Sequence, residues 1–106
     1  MSKASVVHKL QYLEQSIDRL GMRTAEISSQ VCAENILSSL RELEKIAEQG
    51  LNFHDELQEL RILSLAKGTT AHVEYHDFVI RLSANLVTFA HRTYFEIYSV
   101  ISGQLN

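Results

Sequence analysis

The feature that most restricts the fold is a long stretch without helix breakers. The chain of 106 residues contains no proline, and no glycine occurs between Thr69 and Gly103. Because glycine and proline usually mark turns and helix ends, this stretch favours one continuous helix. The residues from Phe78 to Leu82 and from Leu86 to Ala90 are also typical of strands, but no glycine turn joins them into a hairpin. We therefore predict a helix at about 70–102.

An apolar seam of helical period predicts the first helix. Its members recur at alternating intervals of four and three residues: Val6, Leu10, Leu13, Ile17 and Leu20. Gly21 follows the last member and is a candidate C-cap, although the pattern can also pass through it with a kink. We predict a helix at about 4–20. It is expected to pack inside a bundle, because two heptads are too few for a free coiled coil.

Two more helices are predicted in the middle of the chain. The second is placed at about 23–49 and ended by Gly50, with the Ser28 and Ser29 hydroxyls able to interrupt its beginning. The third is placed at about 53–67, capped by Asn52 and ended by Gly68. Thr69 or Thr70 would cap the fourth. Residues 1–106 are thus predicted to form one all-α domain, a small four-helix bundle with a long C-terminal helix, and to be dimeric.

The fourth predicted helix carries more apolar surface than one buried stripe requires. One sector contains Tyr75, Val79, Leu82, Leu86, Phe89, Ala90, Ile97, Val100 and Ile101. The adjoining sector contains Val73, His76, Ile80, Val87, His91, Tyr94 and Tyr98. Together they cover roughly 200° of the helix, about twice what attaches a surface helix. Either the other helices wrap this helix, or the second sector faces another chain. We predict the second arrangement, in a homodimer or a hetero-complex.

Aromatic and arginine side chains of this helix are the candidate protein-binding residues. Aromatic side chains anchor interfaces because they remove a large area from water while few torsions are frozen. The predicted anchors are Phe78, Tyr94, Phe95 and Tyr98. Arg81 and Arg92 are predicted to make polar contacts at the rim.

Charge and composition disfavour several classes of function. The net charge is −3, and residues 22–61 carry four basic and eight acidic side chains. Since basic residues form no cluster, neither DNA nor RNA is an expected partner. The sequence has no run of eighteen apolar residues, so no membrane span is expected. Cys32, the only cysteine, lies between Val31 and Ala33 and is predicted to be a small buried thiol of a cytoplasmic protein.

No residue pattern points to catalysis or to a cofactor. His72 and His76 lie four residues apart, a spacing able to chelate a transition metal, but two ligands do not make a site. The zincin motif fails because Val73, and not a glutamate, follows the first histidine. Cys32 has no identifiable base, and the isolated glycines form no phosphate-binding loop. We expect no enzyme activity and no cofactor.

The sequence therefore predicts a small helical protein interaction module. As a regulatory antagonist or adaptor, it would bind and sequester or modulate a partner such as a transcriptional regulator, a toxin or an enzyme. One alternative is a metal-binding helical bundle that uses His72 and His76. Another is a purely structural homo-oligomer.

Overall fold

The described residues form three long helices. The computed structural model describes residues 3–68 and 72–105. Helix α1 spans Lys3–Gln30, α2 spans Ile36–Ala66 and α3 spans Val73–Leu105. No strand occurs in these two ranges, so the predicted all-α class and the continuous C-terminal helix are confirmed. The prediction of four helices is wrong, because the second and third predicted helices are largely one helix, α2.

The error arose from reading Gly21 and Gly50 as helix ends. Both glycines lie inside helices, and the apolar seams continue past them in register. Thr24 and Ile27 extend the buried seam of α1, and Leu57 extends that of α2. A glycine inside a helix costs only about 1 kcal/mol relative to alanine. Burial of the side chains beyond it outweighs that cost.

The actual break after α1 lies at residues 31–35 and is organised by Asn35. The Asn35 side chain accepts a hydrogen bond from the backbone amide of Cys32 at 2.7 Å and donates one to the carbonyl of Gln30 at 3.1 Å. The backbone carbonyl of Asn35 accepts a hydrogen bond from the amide of Ser39 in the first turn of α2, at 2.8 Å. Cys32 is exposed, so the predicted burial of this thiol is wrong. The loop holds it outside the helix packing.

The end of α2 agrees with the predicted stop at Gly68. This glycine has φ 74°, a left-handed conformation that it adopts without steric cost. Its amide donates to the carbonyl of Leu65 at 2.9 Å. The predicted caps Thr69 and Thr70 lie outside the described residues. Helix α3 begins after His72, whose carbonyl accepts from the amide of His76 at 2.8 Å.

Ion pairs between α1 and α2 show the direction of one helix relative to the other. Lys9 Nζ lies 2.6 Å from a carboxylate oxygen of Glu56. Arg23 forms a two-pronged pair with Glu42, at 2.5 and 2.8 Å. The earlier residue of α1, Lys9, pairs with the later residue of α2, Glu56, and the reverse holds for Arg23 and Glu42. The two helices are therefore antiparallel.

Helices α2 and α3 are also antiparallel. His54 Nδ1 lies 2.9 Å from the hydroxyl of Ser83, and Arg61 Nε lies 3.0 Å from a carboxylate oxygen of Asp77. The chain therefore runs up, down and up. The resulting rod measures 58 × 19 × 17 Å.

Apolar side chains from all three helices meet along the axis of the rod. The buried hydrophobic residues are Val6, Leu10, Leu13, Ile17, Ile27, Leu40, Leu43, Ile46, Ala47, Leu57, Leu60, Val79, Leu86, Ala90 and Ile97. The hydroxyl of the buried Thr24 donates to the carbonyl of Leu20 at 2.9 Å, so it adds no unpaired polar group to this core.

Helix α2 comes close to α3 at Gly50. A Cβ atom on this buried glycine would lie 2.8 Å from Cγ2 of Val87 and 3.4 Å from Cδ2 of Leu86. A β-branched side chain such as valine has little rotamer freedom in a helix, so it cannot move aside easily. At Gly21, by contrast, an added Cβ would meet nothing within 4 Å. The two helical glycines therefore differ in packing, although both lie in helix interiors.

Alanine substitution should separate these two roles. We expect Gly21→Ala to raise the free energy of unfolding by up to about 1 kcal/mol, because only helix propensity changes. Gly50→Ala should lower it, because overpacking costs about 1–3 kcal/mol and exceeds the propensity gain. Urea unfolding followed by circular dichroism measures both. Equal stabilisation by the two substitutions would contradict the close contact.

Candidate functional site

An open apolar groove runs between α2 and α3. It has a volume of about 400 Å³ and is called the aromatic groove below. Its lining residues are Leu43, Glu44, Ala47, Glu48, Leu51, His91, Tyr94 and Phe95. Leu43 and Ala47 are buried and form the floor, while the larger side chains of α3 form one wall. The groove follows the helix axes because both of its walls are helices.

Three aromatic rings cluster on the α3 side of the aromatic groove. The Tyr94 and Phe95 rings meet edge to face, with centroids 5.6 Å apart and an interplanar angle of 83°. Tyr98 lies one turn further along and is nearly parallel to Tyr94, at 6.3 Å and 7°. Both distances lie in the range of favourable aromatic pairs. The rings therefore support one another while their outer faces remain accessible.

Large apolar side chains in and beside the groove are about half exposed or more. Leu51 is 49% exposed, Phe95 61% and Tyr98 52%. Single exposed apolar residues are normal, but several of them around one groove mark an interaction surface. A molecule that bound here would remove this apolar area from water.

Two carboxylates form the polar part of the α2 wall. Glu44 and Glu48 are exposed and lie one helical turn apart. Partial burial and the neighbouring Glu44 carboxylate raise the pKa of Tyr94. The aromatic cluster of α3 thus lies beside Glu44 of α2. The hydroxyl stays protonated as a donor at neutral pH.

The structure brings only some of the predicted binding residues together. Tyr94 and Phe95 line the aromatic groove, and Tyr98 stacks on Tyr94. Arg92 is exposed on a neighbouring turn but does not line the groove. Phe78 and Arg81 lie about 20 Å or more along α3 from Tyr94, at a rise of about 1.5 Å per residue. Arg81 instead lines a separate polar hollow with Glu74, Asp77 and Ile80.

The second apolar sector of α3 is mostly used within the chain itself. His76 is buried, and Ile80, Val87 and Tyr94 are partly buried. Val87 is in contact range of α2 at Gly50. We expected this whole sector to be free for another chain. In the structure, most of it packs against the protein's own helices. The large apolar side chains of α3 that stay exposed are Phe78, Phe95, Tyr98 and Val100, and of these Phe95 lines the aromatic groove.

Sequence reasoning missed the α2 wall of the groove. Leu51 falls between the second and third predicted helices, and neither Glu44 nor Glu48 is among the predicted binding residues. The missed signal was the spacing of Leu43, Ala47, Gly50 and Leu57, which continues the buried seam through the glycine. With α2 continuous, Leu51 joins the same face as the two glutamates.

A second groove lies between α1 and α3. It has a volume of about 700 Å³, and its lining includes Gly21, Met22, Leu82 and Phe89. Met22 is exposed, but no aromatic cluster or carboxylate pair is present in this lining. The groove thus offers mainly apolar area, with Asp18 and Asn85 as polar groups in its lining.

The histidine pair of the metal alternative is divided between two environments. His72 is exposed and precedes α3, whereas His76 is 1% exposed. Within residues 3–68 and 72–105, no group of three or more potential ligands is placed to hold a metal ion. Neither ring nitrogen of His76 has a hydrogen-bond partner among these residues. Arg61 Nε lies at ion-pair distance from Asp77 but without hydrogen-bond geometry. The charges of Arg61 and Asp77 act on His76, but neither residue donates or accepts a hydrogen bond at its ring nitrogens.

Burial of His76 should make the fold sensitive to acid. Burial, followed by the charges of Arg61 and His72, lowers the pKa of His76, and Asp77 opposes this only in part. Below about pH 6.5 His76 takes up a proton more readily in the unfolded chain than in the folded chain. The free energy of unfolding therefore falls as the pH falls. His76→Leu should remove this loss, which is at most about 1.4 kcal/mol per pH unit.

The measurement is urea unfolding of wild type and His76→Leu between about pH 7.5 and pH 5.5. The leucine variant should gain on wild type as the pH falls. The control His8→Gln alters an exposed histidine of α1 and should follow wild type. A constant difference between wild type and His76→Leu over this range would show that His76 titrates alike in both states.

Comparison with known proteins supplies no relative of this chain: no protein family, curated protein or solved structure matches it. Across the described ranges, none of the three helices is both long and apolar enough to cross a membrane. The geometry of the chain itself is therefore the basis for a functional proposal.

Proposed function

We propose that this protein is a small helical interaction module that binds a partner protein through the aromatic groove. The observation that carries the proposal is the exposed apolar area of Leu51, Phe95 and Tyr98 around an open groove with a buried floor. A helical partner would cover this area as a ligand helix does in other apolar grooves. Binding would sequester or modulate the partner, which could be a transcriptional regulator, a toxin or an enzyme.

The aromatic groove is favoured over the α1–α3 groove for a physical reason. Aromatic side chains provide large contact area at low entropic cost and are enriched among residues that dominate binding energy. The Tyr94 ring contacts the rings of Phe95 and Tyr98, which restricts the motion of all three. A preordered surface loses less conformational freedom on binding. The groove thus combines exposed area with order.

Removing one ring should weaken the association without unfolding the protein. We expect Phe95→Ala to reduce partner affinity by about 30-fold or more, equivalent to about 2 kcal/mol for an anchor residue. Leu51→Ala should act in the same direction from the other wall. Helicity should stay close to that of wild type, because both side chains are largely exposed.

Quantitative affinity capture from the native cell, with mass spectrometry, measures this effect. Tyr12→Ala is the matched control, because Tyr12 is 64% exposed on α1 and does not line the groove. Its captured proteins should match those of wild type. Equal recovery of the same proteins by Phe95→Ala, Leu51→Ala and wild type would refute the groove as the binding site.

The predicted homodimer is a separate proposal and has its own test. Sedimentation equilibrium of the purified chain should give twice the mass of 12.1 kDa if two copies associate. Phe95→Ala would then show whether the aromatic groove holds the second copy. A monomer at all accessible concentrations would exclude the homodimer and leave the groove to a different protein.

A further inference from the structure

Four of the carboxylates of α2 form two pairs with different surroundings. Those that face α1 are neutralised, since Glu42 pairs with Arg23 and Glu56 pairs with Lys9. Those that border the aromatic groove are not, because no lysine or arginine of the described ranges pairs with Glu44 or Glu48. Glu44 and Glu48 thus border the exposed apolar area without an ion-pair partner among the described residues.

The lining of the aromatic groove contains these two carboxylates and neither lysine nor arginine. Glu44 and Glu48 lie on successive turns, about 6 Å apart along the axis of α2. Two cationic side chains one turn apart on another helix would match this separation. Arginine or lysine at such positions also covers apolar surface with its methylene stem.

We infer that the occupant of the aromatic groove is an amphipathic helix of a different protein, with an apolar face flanked by basic residues about one turn apart. This inference rests on the proposed function and specifies the partner. The apolar face would cover Leu51 and Phe95, and the basic residues would pair with Glu44 and Glu48. A helix laid along the groove would complete a four-helix arrangement with α1, α2 and α3.

A second copy of the chain fits this groove less well. A two-fold interface uses the same patch on both copies, so it would bring the acidic borders of both grooves into one interface. Like charges placed opposite one another disfavour association. The net charge of −3 adds to this repulsion. A basic partner helix has the opposite preference.

Two synthetic helices of roughly 18 residues each provide a direct test. Both carry the same leucine face, and the flanking positions are lysine in one and glutamate in the other. Binding of each labelled peptide to the full chain is measured by fluorescence anisotropy, and the contacted residues are mapped by amide chemical shifts. The lysine peptide should bind at the aromatic groove at least about tenfold more tightly than the glutamate peptide, and this preference should shrink as salt is raised.

Charge variants of the protein locate the effect. Glu48→Gln should weaken the lysine peptide by about threefold to tenfold and leave the glutamate peptide unchanged or slightly tighter. Glu59→Gln is the matched control: it removes the same charge from an exposed position about 16 Å further along α2 and should change neither affinity. Phe95→Ala should weaken both peptides, because it removes apolar contact and not charge.

The outcomes separate this inference from the proposed function. If both peptides bind equally and only Phe95→Ala weakens them, the groove binds helices but the charge preference is refuted. If neither peptide shifts the groove residues, the inference is overturned, while partner capture by wild type and Phe95→Ala still decides the proposed function. A self-association that Phe95→Ala abolishes would assign the groove to a second copy and would also overturn the inference.

Discussion

The close approach of α2 and α3 at Gly50 is the contact on which the rest of the structure depends. Because Gly50 has no side chain, the side chain of Val87 can pack directly over it. The contact requires α2 to continue as a helix through this position, and continuity sets the direction of every side chain that follows. Leu51 then lies on the same wall as Glu44 and Glu48, beside the aromatic rings of α3. The groove is a consequence of helix continuity at one glycine.

The two sides of α2 show how the fold divides structure from interaction. Toward α1, carboxylates meet cations and the helices are held in an antiparallel arrangement. Exposed ion pairs of this kind contribute little stability each, so their main effect is on direction and register. Toward the aromatic groove, the carboxylates have no cation and the apolar side chains are only half covered. The same helix therefore closes one boundary of the bundle and leaves an open groove at the other.

Much of the helix content was predictable, whereas the groove was not. The seam from Val6 to Leu20 and the breaker-free C-terminal stretch each indicate a helix from local pattern alone. The misplaced ends at Gly21 and Gly50 have one cause: a local glycine preference worth about 1 kcal/mol is weaker than the burial gained by continuing the helix. The true break depends on hydrogen bonds of the Asn35 side chain, which no periodicity reveals. Phe78 and Tyr94 lie on the same helix. Their surroundings differ only because of how α3 packs against α1 and α2, which the sequence pattern does not show.

The most direct test of the central claim is a nuclear Overhauser spectrum of the isotopically labelled protein. The account predicts cross-peaks between the Hα protons of Gly50 and a methyl group of Val87, because the two groups are in contact. It also predicts sequential helical amide cross-peaks without interruption from Gln49 to Phe53, which lie within α2. Absence of the glycine-to-valine cross-peak, together with a gap in the helical pattern at these residues, would contradict the continuous α2 and with it the groove.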